Sequence, residues 1–221
     1  MPSKKDNTLD RFEAPTAQSR EELAPGAWIL RGFALPEEAE IISALNSVIA
    51  QSGLRHMVTP GGYRMSVAMT NCGSLGWITD RTGYRYDAID PETHQPWPKM
   101  PAVFYNLATA AAAEAGFHGF DPDACLVNRY EPGTKLSLHQ DKDEEDFAQP
   151  IVSVSLGIPA TFLFGGERRA DKTRRVILHH GDVVVWGGTA RLRYHGVLPL
   201  KDATHALLGR ARVNLTFRRA G

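Results

Sequence analysis

Residues 136–147 read LSLHQDKDEEDF. His139 and Asp141 stand two apart. On a β-strand alternate side chains share a face, so both would point one way while Leu136, Leu138 and Gln140 point the other. An imidazole beside a carboxylate can hold a divalent metal. The pair alone carries little weight: with 8 His and 13 Asp in 221 residues, chance supplies about one His-x-Asp in every two such chains. A third ligand on another strand would change that, and His195, in RYHGVL, lies among β-type residues 54 positions after Asp141. Two histidines and one carboxylate on one face of a metal leave its other positions open, the arrangement favoured by non-haem Fe(II) oxygenases. An open three-ligand site equally suits zinc and metal-assisted hydrolysis. By spacing alone, a histidine with an ordinary hydrogen bond would look the same.

The stretch RVNLTFR (212–218) separates these readings. Polar and apolar residues alternate strictly, so Arg212, Asn214, Thr216 and Arg218 share one face of a strand. On an outer surface such a face is simply solvated. Turned into a barrel interior, two arginines are costly unless an anion pairs with them, and guanidinium forks fit the two ends of a dicarboxylate. Hydrolysis needs no dicarboxylate. In LVNRY, Leu126, Asn128 and Tyr130 share a second face, and Asn128 and Tyr130 are suitable hydrogen-bonding partners for the same co-substrate.

The elements that must position these residues are mostly strands. From about residue 124, ACLVNRY, LSLH, IVSVSLG, ATFLFGG, RRVILHH, DVVVWGG, RYHGVL and ARVNLTFR form eight short apolar runs divided by Gly, Pro or charged turns, which predicts a sandwich or barrel. Ahead of them, GAWILRGF (26–33) reads as a strand. Pro36 then opens a helix with Ala39, Ile42, Leu45 and Ile49 at helical spacing, and an alanine-rich helix runs over about 101–115 and stops at Gly116. Residues 57–100 have little regular periodicity but five aromatics: Tyr63, Trp77, Tyr84, Tyr86 and Trp97. So many aromatics argue against disorder and for a lid over a ligand. Residues 1–24 read as a flexible leader and 25–221 as one domain, with the lid at 57–100 and the β core at 124–221.

Composition narrows the partners. With 25 basic and 25 acidic residues the overall charge exerts no long-range pull on nucleic acid or on an anionic membrane, so such affinity requires a local patch. The basic cluster ERRADKTRR (167–175), together with Lys142, could hold phosphates, or could be a solvated hairpin. No run of about 18 apolar residues predicts a membrane span, and the N-terminus lacks the apolar core of a signal peptide. Cys72 and Cys125, with no CxxC pattern, read as reduced thiols of a cytoplasmic protein.

Taken in order, TPGGYRMSVAMTNCG, LGW, PDACLVNRY, KLSLHQDKDE, IVSVSLG, HGDVVVWGG, RYHG and RVNLTFR resemble the AlkB family of Fe(II)- and 2-oxoglutarate-dependent dioxygenases, over about residues 25–221. The resemblance implies a mostly β fold with flanking helices, built on a double-stranded β-helix (jelly roll) and an N-terminal nucleotide-recognition lid. It implies that His139, Asp141 and His195 bind iron and that 2-oxoglutarate and O2 are co-substrates. Arg212 would meet the distal carboxylate of 2-oxoglutarate and Arg218 its metal-proximal end, with Asn128, Tyr130 and Asn214 completing that pocket. The implied reaction oxidises 2-oxoglutarate to succinate and CO2 and hydroxylates an N-methyl group, whose hemiaminal releases formaldehyde. The implied substrates are bases such as 1-methyladenine and 3-methylcytosine in single-stranded DNA, with RNA as a further candidate, handled by a monomer. Trp77 and His139 would sandwich the base, Asp143 would meet its exocyclic amine or cationic ring, Met69 and Tyr84 would touch base or backbone, and Arg169 a phosphate. No metal-ligand position departs from the family pattern. The same iron core also serves oxygenases acting on proteins or small molecules, and a jelly roll can persist as a binding module without catalysis.

Overall fold

Apolar alternation in the runs after residue 124 needs two faces to bury, and the fold supplies both. The structure is a computed structural model and describes residues 19–221. Its eight C-terminal strands are β6 (Ala124–Tyr130), β7 (Leu136–His139), β8 (Ile151–Gly157), β9 (Ala160–Phe164), β10 (Arg174–Leu178), β11 (Val183–Trp186), β12 (His195–Val197) and β13 (Arg212–Arg218). They divide four and four between two facing sheets. The larger sheet runs β1-β2-β11-β8-β13-β6-β3 and the smaller β10-β9-β12-β7, every pair antiparallel, where β1 is Arg20–Ala24, β2 Ala27–Leu30 and β3 Ala68–Gly73. This is the jelly roll, extended at both edges of its larger sheet.

The larger sheet is covered twice. Helices α1 (Glu38–Gln51) and α2 (Ala102–Glu114) pack on its outer face, where Val152, Val154, Val183, Val185, Val213, Leu215 and Phe217 meet Ile41, Leu45, Phe104 and Leu107. The alternate residues turn inward to the smaller sheet, where Ile151, Val184, Trp186 and Tyr130 pack with Phe162 and Phe164. Strand β13 is therefore buried at every position, with its apolar side against the helices and its polar side between the sheets.

Three expectations need correction. Residues 20–24 belong to no leader: Glu21 and Glu22 pair with Ile29 and Trp28, and backbone pairing rather than apolar content makes this edge strand, so the sequence pattern hides it. The rest of the leader, residues 1–18, lies outside the described residues. In α1 the buried face is Ile41, Leu45 and Val48, one position from the anticipated stripe except at Leu45. Nearly every second residue there is apolar, and the sheet selects among equivalent faces. Residues 57–100 are not all lid: β3 completes the larger sheet beside β6, while β4 (Gly76–Asp80) and β5 (Gly83–Asp87) form a separate hairpin. Cys72 and Cys125, 53 positions apart in sequence, face each other across β3 and β6 as buried free thiols.

One turn shows how tightly the frame is set. Gly157 ends β8 with φ +90°, and a Cβ there would run into the carbonyl oxygen of Ala211, just before β13. A left-handed conformation and a backbone clash act together, so Gly157→Ala is expected to cost about 3 kcal/mol, read as a lower urea midpoint at unchanged slope. A midpoint within error of the parent would show that the turn relaxes freely.

Candidate metal and co-substrate site

The cavity between the sheets has a volume of about 540 Å³. On its smaller-sheet wall, β7 and β12 pair so that His139 lies directly opposite His195, and their rings stand 4.4 Å apart. Asp141 follows β7 in the loop that leads to β8. Its Oδ1 lies 3.5 Å from His139 Nε2 and 3.8 Å from His195 Nε2, and one ligand atom from each of the three residues falls within 4.8 Å of the others.

The protonation of this group follows from its neighbours. His139 Nδ1 is 2.9 Å from the Ser137 carbonyl and His195 Nδ1 is 3.1 Å from the Arg193 carbonyl. A carbonyl only accepts, so both Nδ1 atoms carry the proton and each ring, in its neutral form, presents the Nε2 lone pair. Burial, then the neighbouring His139, push the His195 pKa down to about 4, which keeps the ring neutral near pH 7. Burial works against the Asp141 charge, but the Arg218 guanidinium beside it outweighs that and holds the carboxyl well below the usual range. Three acceptor atoms thus face one another with no donor between them. Such a focus repels itself unless a cation occupies it, and the two imidazoles with one carboxylate oxygen fit an iron(II) or similar ion with open positions.

The larger-sheet wall is cationic. Arg212 is 2% exposed, and only its Nη2 is engaged, donating to Ser155 Oγ at 2.9 Å. Among the described residues its Nε and Nη1 have no hydrogen-bond partner, nor has Asn128 Oδ1. The guanidinium lies 5.0 Å from the Tyr130 ring, and burial pulls its pKa down from the ordinary value. A buried fork with two free nitrogens is the feature a carboxylate would fill. Asn214 is more fully engaged: its Nδ2 donates to Ser153 Oγ and the Val154 carbonyl, while its Oδ1 accepts from Thr216 at 2.8 Å. Arg218, at the far end of β13, donates from Nε and Nη2 to Asp141 Oδ2 at 2.9 and 2.7 Å. It therefore holds the oxygen that the histidines do not face and leaves Oδ1 directed at them.

The roof is the β4–β5 hairpin. Trp77 and Tyr84 stack with centroids 5.7 Å apart and planes at 20°. Asn71, buried in β3, pins the hairpin by exchanging hydrogen bonds with both backbone groups of Trp77. Trp77 Nε1 donates to Asp143 Oδ2 at 2.8 Å. Met69 is buried yet lines the cavity, as do Tyr84, Asp143, Lys142 and Arg169. All thirteen residues singled out from sequence therefore border this one space.

Sequence reasoning missed Glu144, Arg191 and Tyr86 as part of the site. Glu144 looked like one more acid in DKDEEDF, but it is 6% exposed and pairs with Arg191. Arg191 also donates to the carbonyls of Asp141 (2.7 Å) and Gln149 (3.0 Å), closing the loop between β7 and β8. Acids at consecutive positions give no sequence signal for which one is turned inward.

A family model described as the 2OG-Fe(II) oxygenase superfamily matches residues 26–218. The chain is 61% identical over 213 residues to the alpha-ketoglutarate-dependent dioxygenase AlkB of Escherichia coli, covering 96% of this chain and 98% of that protein. It is 31% identical over 227 residues to the DNA N(6)-methyladenine demethylase ALKBH1D of Arabidopsis thaliana, covering 89% of this chain and 50% of that protein. Among solved structures, that of OsALKBH1 superposes with a TM-score of 0.79 at 30% identity, covering 91% of this chain and all of the other.

Proposed function

Because the chain belongs to the AlkB family of the 2OG-Fe(II) oxygenase superfamily, we propose that it removes alkyl groups oxidatively from bases such as 1-methyladenine and 3-methylcytosine in single-stranded DNA, with RNA as a second substrate. It is an Fe(II)- and 2-oxoglutarate-dependent dioxygenase that uses O2. No helix among the described residues is long and apolar enough to cross a membrane; we place the protein in the cytoplasm as a monomer.

In this reading His139 Nε2, Asp141 Oδ1 and His195 Nε2 hold the iron, which when bound supplies the activation of O2 that couples oxidation of 2-oxoglutarate to hydroxylation of an N-methyl group. Arg212 receives the distal carboxylate, and Asn128, Tyr130 and Asn214 fix the orientation of the co-substrate. Arg218 keeps the Asp141 carboxylate charged and correctly turned, and adds positive charge where the other end of 2-oxoglutarate arrives. Apolar side chains between these polar groups, Leu126, Leu136, Phe162 and Trp186, limit the water around them. The lesions concerned lie on the Watson–Crick edge, so the base must leave the stack, at least cost where pairing is already lost. Trp77 offers it a stacking face opposite His139, Asp143 an acceptor for the exocyclic amine or the cationic ring, and Met69 and Tyr84 contact surface. Arg169 and Lys142 at the mouth supply local positive charge for phosphates that the neutral chain otherwise lacks.

The observation that supports this most strongly is the single cavity in which a three-acceptor focus, an unpartnered arginine and an aromatic roof converge. The test is incubation with Fe(II), 2-oxoglutarate, air and a single-stranded oligonucleotide carrying one 1-methyladenine, with methyl loss read by mass spectrometry. Demethylation is expected. Base stacking on an aromatic contributes about 1–3 kcal/mol, so Trp77→Ala is expected to raise the oligonucleotide KM about tenfold. Succinate formation without methyl loss would keep the oxygenase and discard the base substrate in favour of a protein or small molecule.

A further inference from the structure

The lid touches the β7–β8 loop through two side-chain hydrogen bonds of different character. Trp77 Nε1 to Asp143 is exposed, and it must break if a base enters between them. The second joins Tyr86 on β5 to Glu144, whose Oε1 accepts the phenol hydrogen at 2.6 Å. Glu144 Oε1 also lies 3.3 Å from Arg218 Nε, and its Oε2 accepts from Arg191 Nη2 at 3.0 Å. Arg218 is in turn the partner of Asp141 Oδ2. Two carboxylates and two guanidinium groups, all nine-tenths buried or more, thus balance, and the lid supplies one donor to them.

We propose that Tyr86 and Glu144 are positioning residues that tie the seating of the lid to the orientation of the metal-ligand carboxylate. With the lid down, the Tyr86 hydroxyl shares Glu144 Oε1, and Arg218 stays on Asp141. With the lid raised, that oxygen loses its neutral donor and draws Arg218, whose Nε already lies 3.3 Å away, toward itself, which loosens the two-donor hold on Asp141 Oδ2. Linkage makes the effect reciprocal: ligands that set the Asp141 and Arg218 arrangement also favour the seated lid. The device lets the chain hold its oxidising arrangement together only under a closed roof. The proposal rests on the reading of 76–87 as the cover for a nucleic-acid substrate.

The test uses Tyr86→Phe, which deletes one oxygen and keeps the ring; Glu144→Gln leaves two buried arginines short of a charge and is the harsher cut. In the first arm, amide hydrogen exchange over residues 76–87 is followed with Mn(II) and 2-oxoglutarate under anaerobic conditions. Loading is expected to slow exchange at least threefold in the parent and to leave Tyr86→Phe unchanged. In the second, the ratio of succinate formed to methyl groups removed is expected to rise at least threefold in Tyr86→Phe. An equal loading response in parent and variant, or no response in the parent, overturns the inference, as does an unchanged ratio in a variant that demethylates. If the parent itself removes no methyl group, the base-repair reading fails, and the exchange arm still decides the lid coupling.

Discussion

Replacing His139 with alanine is expected to abolish both succinate formation and demethylation while leaving the apoprotein nearly as stable as the parent. The His139 side chain is 34% exposed, so its removal opens no sealed cavity, and its Nε2 makes no hydrogen bond that the fold uses. What is lost is one of three converging metal-ligand atoms. Altering an outer-shell partner of a metal site already costs about 10- to 100-fold in affinity, so removal of a direct ligand should lower Mn(II) or Fe(II) affinity by at least about 100-fold, measured by anaerobic equilibrium dialysis. Asp141→Ala should show the same loss of metal together with a stability defect of about 3 kcal/mol in urea, because Arg218 is buried and loses the oxygen to which it donates twice. Retained metal binding and turnover in His139→Ala would remove that residue from the ligand set and leave the cluster as a buried ion-pair network.

Arg212→Met should separate co-substrate binding from stability, unlike Asp141→Ala. In the parent two nitrogens of a 2% exposed guanidinium have no hydrogen-bond partner among the described residues. An apolar side chain of similar length is therefore expected to leave the thermal midpoint of the apoprotein unchanged or slightly higher, since replacing a buried uncompensated charge by a packed apolar group is commonly neutral or stabilising. The same substitution removes the fork that a distal carboxylate would fill. Truncating one partner of a desolvated charge pair costs about 2–5 kcal/mol, so the KM for 2-oxoglutarate should rise about 100-fold, and the thermal shift produced by 2-oxoglutarate with Mn(II) should disappear. A KM within twofold of the parent would place the co-substrate's far end elsewhere in the cavity.

Much of this was legible in residue order, for physical reasons that can be named. Alternation is local, so the eight runs from ACLVNRY to RVNLTFR were visible as strands, and all eight exist. The polar face of β13 was visible too, because two arginines and an amide at period two stand out in an otherwise apolar run. Elements set by their partners and not by an apolar pattern of their own were not legible. Arg20–Ala24 has no apolar pattern and becomes a strand because β2 offers it a ladder. The buried face of α1 is chosen by the sheet beneath it. Glu144 is one of five acids between positions 141 and 146, and only the approach of Arg191, Arg218 and Tyr86 from three other segments makes it a buried carboxylate.

By itself the sequence determined the residue types available for chemistry and the period at which they recur: an imidazole and carboxylate two apart, arginines six apart on one strand face, and aromatics gathered ahead of the strands. The tertiary structure decided what those periods face. Antiparallel pairing of β7 with β12 sets His195 against His139, burial on both faces turns the cationic side of β13 into the space between the sheets, and the β4–β5 hairpin roofs that space. Such arrangements depend on contacts between residues far apart in the chain, where the energy comes from desolvation and charge compensation across segments. A local pattern can propose those partners, but only the folded chain brings them within bonding distance.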